Sequence, residues 1–299
     1  MFKTYKITVS GQVQGVGFRP YVYCLALEFY LNGTVSNNEE GVIIYITGIE
    51  DSVQKFYKKL LQFPPSVSQI KNSTIIQVEF KDFTGFKIIP TTTKGNLNLP
   101  LTPDFAICED CKNDIENTKS RRYHYAFTTC VNCGPRWAIT KTFPFERSNT
   151  SMNDFPMCDD CKDEYTNPLN RRFHSQTNTC STCGIELILI TSKGEIIETS
   201  KENIFKTVAN LLLKGNIIAL KNTSGYLLCC NAEDETVTSK LRTLKNRPNK
   251  PFAVLYPSIE LLKKDINLIE EEIKSLTSTE RPITIISSQN YKGKLAINS

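Results

Sequence analysis

Eight cysteines written as two copies of one pattern constrain this chain more than any other feature. The pairs Cys108–Cys111 and Cys130–Cys133 recur as Cys158–Cys161 and Cys180–Cys183. Arg121, Arg122, His124 and Gly134 likewise return fifty positions later as Arg171, Arg172, His174 and Gly184. Each C-x-x-C pair sets two thiols on one tight turn, and the 18 residues between turns leave room for four sulfurs to surround one Zn²⁺. Two structural zinc ions are expected, because four protein ligands leave no open position for a catalytic water. Disulfides are the competing use of these cysteines, and a reducing compartment favours metal at this spacing. Both histidines of the chain lie inside the repeats. Either could replace a thiolate, but four cysteines close each site without them and leave the imidazoles for hydrogen bonds around it. Whether an ion takes both pairs from one repeat, or one pair from each, stays open.

The length of 299 residues suits about two to three domains. The 36 basic and 31 acidic residues leave a net charge of +5, which argues against a nucleic-acid partner unless the charge is gathered on one face. Cys24, Cys229 and Cys230 stand in apolar runs, as buried thiols of a reducing interior would. The N-terminus lacks the apolar core of a secretion signal, and no apolar run approaches the ~18 residues of a membrane span. The expected setting is cytoplasmic, without membrane contact.

In the first ninety residues, Tyr5, Ile7 and Val9 alternate with polar neighbours as a half-buried strand does. The strand runs into a loop with glycines at 11, 15 and 17, then Arg19 and Pro20. Val22, Leu25, Ala26 and Phe29 follow at helical spacing, with the proline expected at the first helical position. Loop amides that converge at a helix N-terminus suit an anion, and Arg19 would add a fork of donors. Strands at 33–36 and 42–47, a helix from 51 to 61 and strands near 74–80 and 86–89 complete a β-α-β-β-α-β order, the ferredoxin-like sandwich.

Residues Val9 to Arg19, with Gly33 to Asn37 and Gly41, resemble the signature of acylphosphatases. The resemblance implies a phosphate-binding loop of Gln14, Gly15, Val16, Gly17 and Phe18, a phosphate-binding Arg19 and a water-positioning Asn37. The chemistry is consistent with that. Hydrolysis of an acyl phosphate needs charge stabilisation and one oriented water, because the leaving carboxylate is already good.

Residues 92–100 are polar and turn-rich, as a linker would be. Between the zinc units, Trp137, Phe143 and Phe145 are either a partner surface or the small core a metal module needs; the second is expected. The arginine pairs could grip phosphates, but their identical placement points to a repeated structural role within each zinc loop. After Gly184 come a hairpin around 187–196, a helix from 204 to 213, two apolar strands about the turn at 222–225, and a helix from about Glu233. This series resembles the YrdC-like nucleotide-binding domain of carbamoyl- and threonylcarbamoyl-transfer enzymes. The resemblance implies that Lys221, Lys245, Arg247 and Lys250 meet the phosphates of ATP with Mg²⁺. The segment departs from the family at Asn222, Ser224 and Leu227, where two glycines and a histidine are usual; side chains at 222 and 224 would obstruct a close backbone approach.

Taken in order, these parts resemble the N-terminal part of the HypF family, the carbamoyltransferases of [NiFe]-hydrogenase maturation. The resemblance implies an α+β chain: an acylphosphatase domain at 1–91, a linker at 92–100, a double zinc-finger domain at 101–186 and a partial YrdC-like domain at 187–299. The expected substrate is carbamoyl phosphate. Beyond it stands a hydrogenase-maturation partner whose cysteine accepts the carbamoyl group that becomes a cyanide ligand. The family's C-terminal transferase domain is expected to be missing here, so hydrolysis is the activity expected of this chain. The alternative is a zinc-finger module that binds RNA or a protein, with an inactive acylphosphatase-like domain.

Overall fold

Alternation in the first strand decides which side of the sheet is buried. In the computed structural model, which describes residues 2–39, 41–90 and 102–296, β1 spans Lys3–Gln12 and turns Tyr5, Ile7 and Val9 inward. Strands β2 (Asn32–Asn38) and β3 (Gly41–Gly48) form a hairpin, and β4 (Gln69–Val78) and β5 (Phe86–Ile88) follow. The sheet order is β4-β1-β3-β2-β5. Its first four strands pair antiparallel, as in a ferredoxin-like sandwich, and β5 adds a short edge parallel to β2. Helices α1 (Phe18–Glu28) and α2 (Glu50–Gln62) bury Phe18, Val22, Leu25 and Ala26, and Val53, Phe56 and Leu60. These side chains meet Ile7, Val35, Ile44 and Ile46 of the sheet, each fully buried side chain contributing about 1.5–3 kcal/mol.

Two details differ from expectation. Helix α1 begins at Phe18, behind Gly17 in the left-handed region, so Pro20 is its third residue and not its first. The position is still tolerated because first-turn N–H groups have no partner within the helix. Gly11 does not join the loop. It sits at an irregularity in the β1–β4 ladder, where a Cβ would collide with the Gln69 carbonyl oxygen.

The chain divides into two compact units, Met1–Ile185 and Glu186–Ser299. The expected linker at 92–100 lies outside the described residues. Beyond it, the repeat builds twin helices, α3 (Glu109–Glu116) and α4 (Asp159–Thr166), each starting immediately after the first cysteine of its set. Phe145 packs with Ile139 and Met152 as a small core, while Trp137 is 56% exposed and contributes little to it.

The second unit holds a hairpin of β6 (Leu189–Ile190) and β7 (Ile196–Glu198), then α5 (Lys201–Leu213). A second hairpin pairs β8 (Ile218–Asn222) with β9 (Gly225–Cys229), and α6 (Glu235–Lys245) follows behind an Asp234 cap. Cys229 and Cys230 are half-buried and Cys24 is exposed, so the three extra thiols are less enclosed than their apolar neighbours suggested. Among the described residues no helix is long and apolar enough to cross a membrane.

Candidate functional site

The loop between β1 and α1 passes through Gly15 (φ 71°) and Gly17 (φ 73°), two left-handed positions that a side chain would strain. Among the described residues the backbone N–H groups of Gly15, Val16, Gly17, Phe18 and Arg19 have no acceptor. Five consecutive free donors at the N-terminus of an 11-residue helix form an anion cradle. Gln14 ties this loop to the β2–β3 hairpin, donating from Nε2 to the carbonyls of Asn38 and Gly41, both at 2.7 Å. That tie brings Asn37 to the loop. Asn37 is 2% exposed, and its Oδ1 is buried with no hydrogen-bond partner. A buried, unpartnered carboxamide oxygen costs about 1–3 kcal/mol and calls for an explanation by function.

One pocket is lined by Gln14, Gly15, Gly17, Phe18, Arg19 and Asn37. The sequence did not foretell its other wall, which comes from the metal module: Val131, Arg136, Phe145, His174, Ser175 and Gln176. Two contacts fasten the halves. Arg19 donates to Glu146 at 3.0 Å and, through a longer bond, to the Phe145 carbonyl. Arg136, 3% exposed, donates its Nε to the Gly15 carbonyl and the rest of its fork to carbonyls of the first metal turn, Val131 at 2.8 Å and Cys133 at 3.0 Å among them. Glu146 and the Phe145 carbonyl each take one donor of the Arg19 guanidinium, and its remaining donors are left for a ligand.

His174 belongs to this wall. Burial, reinforced by the Arg19 charge and opposed by Glu146, lowers its pKa from 6.5 to about 4, so the imidazole is neutral at pH 7. The unfolded chain therefore binds a proton at this histidine between pH 6.5 and 4 that the folded chain does not. Stability is expected to fall as pH drops through that window, and His174→Asn should flatten this part of the slope in urea titrations at pH 7, 5.5 and 4.5. An unchanged slope would contradict a neutral buried imidazole.

Cys108, Cys111, Cys130 and Cys133 form one cluster and Cys158, Cys161, Cys180 and Cys183 the other, so each repeat supplies all four sulfurs of its own site. The separations of 3.7 Å for Cys108–Cys130, 3.8 Å for Cys130–Cys133, 3.7 Å for Cys158–Cys180 and 3.6 Å for Cys161–Cys183 match the ~3.8 Å edge of a tetrahedron with Zn–S bonds of about 2.3 Å. They are far from the ~2.05 Å of a disulfide. These residues fit a four-thiolate structural metal.

The arginine pairs do not act within their own loops, as their spacing suggested. They cross. Arg121 and Arg122 of the first repeat donate to Cys161 Sγ of the second, at 3.2 and 3.6 Å, and both bond Glu164. Arg171 donates to Cys111 Sγ at 3.0 Å, and Arg171 and Arg172 both bond Asp114, fifty positions before Glu164. Arg122 Nε and Arg172 Nε reach the carbonyls of Thr179 and Thr129, each at 3.0 Å. A guanidinium has five donors and a four-thiolate cluster would concentrate negative charge, so the two suit one another across the repeat interface. Although burial pushes the other way, Arg122 and then Arg121 lower Glu164 to about 2. The arginines offered as phosphate grips are thus spent inside the module.

The expected nucleotide residues are not gathered around one centre by their own bonds. Lys221 lies over the Tyr226 ring at 5.0 Å. Arg247 donates to the carbonyls of Lys250 and Pro251, bracing the turn after α6, while Lys245 and Lys250 are exposed.

Three family models match successive parts of the chain. The acylphosphatase family model matches residues 5–88, and the HypF finger model matches 107–140 and again 157–190. The Sua5/YciO/YrdC model, described as telomere recombination, matches 210–298. Carbamoyltransferase HypF of Synechocystis sp. is 42% identical over 289 residues, covering 97% of this chain and 37% of that protein. Probable carbamoyltransferase HypF of Methanocaldococcus jannaschii is 42% identical over 289 residues, covering 96% and 37%. A crystal structure of full-length HypF in a phosphate- and nucleotide-bound form has a TM-score of 0.84 at 36% identity, over 93% of this chain and 36% of that one. The chain spans 37% of the length of these two relatives.

Proposed function

The chain belongs to the HypF carbamoyltransferase family, whose N-terminal part it matches, and we propose that its first unit hydrolyses carbamoyl phosphate to carbamate and inorganic phosphate. The single observation that carries this reading is the pocket shared by the free loop amides of Gly15, Gly17, Phe18 and Arg19, the Arg19 guanidinium and the unpartnered Oδ1 of Asn37. In the proposed reaction the amides and Arg19 hold the phosphoryl oxygens, and the Asn37 carboxamide orients a water at phosphorus. The water oxygen bonds to phosphorus as the bond to the acyl oxygen breaks, and carbamate leaves with that electron pair. No side chain forms a covalent intermediate. The two four-cysteine sites would hold Zn²⁺, which staples the module that walls the pocket. Clustered free thiols in that module fit a reducing, cytoplasmic setting.

In the whole family protein we infer that carbamate is next joined to AMP from ATP and then passed to a cysteine of a hydrogenase-maturation partner. The first step is tested directly. Phosphate release from carbamoyl phosphate by the purified chain should exceed the buffer rate by orders of magnitude and saturate with substrate. A linear rate equal to that of buffer alone would overturn the reading. The alternative of an RNA-binding module loses its best candidates, because Arg121, Arg122, Arg171 and Arg172 are bonded within the fold.

A further inference from the structure

An acyl phosphate has two ends, and the loop accounts for one. On this reading the acyl end faces the wall built by the metal module. Most of that wall is carbon or is already engaged in hydrogen bonds within the module. Val131 and Phe145 present carbon. Arg136 is bonded to the carbonyls around it, and Ser175 Oγ pairs with Thr177 Oγ1 at 3.5 Å. Gln176 donates to the His174 carbonyl and accepts from the Arg147 N–H and the Tyr165 hydroxyl. His174 is the exception. Among the described residues its ring nitrogens make no hydrogen bond, while Phe173 (ring centroids 4.6 Å apart) and Tyr165 (5.0 Å) fix the plane of the ring. A neutral imidazole offers one acceptor and one donor.

The repeat separates this role from a merely structural one. His124, the counterpart fifty positions earlier, shares the left-handed backbone, φ 55° against 53° for His174. Its ring stacks on Tyr123 at 3.8 Å, away from the pocket lining. The backbone geometry thus belongs to the motif, and the place in the pocket belongs to His174 alone.

Resting on the acyl-phosphate reading above, we propose that His174 is a specificity-determining residue: its imidazole accepts an N–H from the amino group of carbamoyl phosphate and so selects it over acetyl phosphate. The two substrates differ by –NH₂ against –CH₃. These groups are nearly equal in size, so shape cannot separate them, whereas a hydrogen-bond acceptor in the wall can. An acetyl group would leave that acceptor desolvated and unpaired.

The test measures kcat/KM for both substrates in the wild-type chain, His174→Ala and His174→Asn. Asparagine tolerates the left-handed backbone and keeps a polar amide; metal content and melting temperature check that each variant is folded. His174→Ala should lose about 10- to 100-fold on carbamoyl phosphate, change less than about 3-fold on acetyl phosphate, and be partly rescued by asparagine. Equal losses on both substrates, or no loss on either, overturn the assignment of His174 and leave the hydrolase reading standing. Failure of the wild-type chain to hydrolyse either substrate overturns both.

Discussion

Arg19→Ala is expected to lower the proposed hydrolysis of carbamoyl phosphate by about 10³-fold, the scale seen when a guanidinium is removed from a transferring phosphoryl group. The loss should be shared between kcat and KM, because the fork would meet phosphate both in the ground state and as charge shifts. Arg19→Lys should fall between, since it keeps the charge but not the planar pair of donors. Asn37→Ala should behave differently. Its Oδ1 has no partner to abandon, so the fold loses little, and the expected effect is a fall in kcat of about 10²-fold with KM nearly unchanged. Steady-state kinetics on the three variants decide the matter. If Arg19→Ala and Asn37→Ala both retain wild-type turnover, the pocket is not where hydrolysis occurs.

Metal extraction should have an effect of similar size at a distance. Structural zinc sites in small modules are worth roughly 10–16 kcal/mol of apparent binding energy, about the whole stability of a domain. Removing two ions with a chelator should therefore unfold residues 102–185. The Arg136–Gly15 and Arg19–Glu146 contacts would go with them, and hydrolysis should fall although no cysteine lines the pocket. Release of two equivalents of zinc, a lost thermal transition and a parallel fall in kcat/KM are the expected results. A metal-free chain that keeps both its melting temperature and its turnover would show that the wall is dispensable. The arginine crossing adds a finer expectation: Arg171→Ala should weaken the first site, whose Cys111 it bonds, by about 10- to 100-fold, and spare the second.

What the sequence displayed best was local. The loop amides, Arg19 and the eight cysteines sit within a few residues of one another or at a fixed spacing, and short spacings translate directly into geometry. Strand β4 was harder, running from Gln69 where the pattern suggested a start near 74. As an edge strand it is largely exposed and has no clean alternation to read. The other half of the pocket was not legible at all. Glu146 stands 127 residues from Arg19, and Arg136 stands 121 from Gly15. Their meeting depends on which face of the metal module docks on the loop, which no periodicity encodes. The basic residues at and after the end of α6 are a different case. Their types suit a phosphate, and in the fold two donors of Arg247 also brace the carbonyls of its own turn, which residue type alone does not announce.

The exchange of arginines between the repeats makes the module resemble a symmetric homodimer that has been joined into one polypeptide. Each copy lends its cations to its sibling's sulfurs, so a substitution in one is suffered by the other. A fragment ending between them, near residue 150, would carry Cys111 without Arg171 and strand Arg121 and Arg122 without a counterion. The two copies thus stand as one unit, each completing the surroundings of the other's sulfurs.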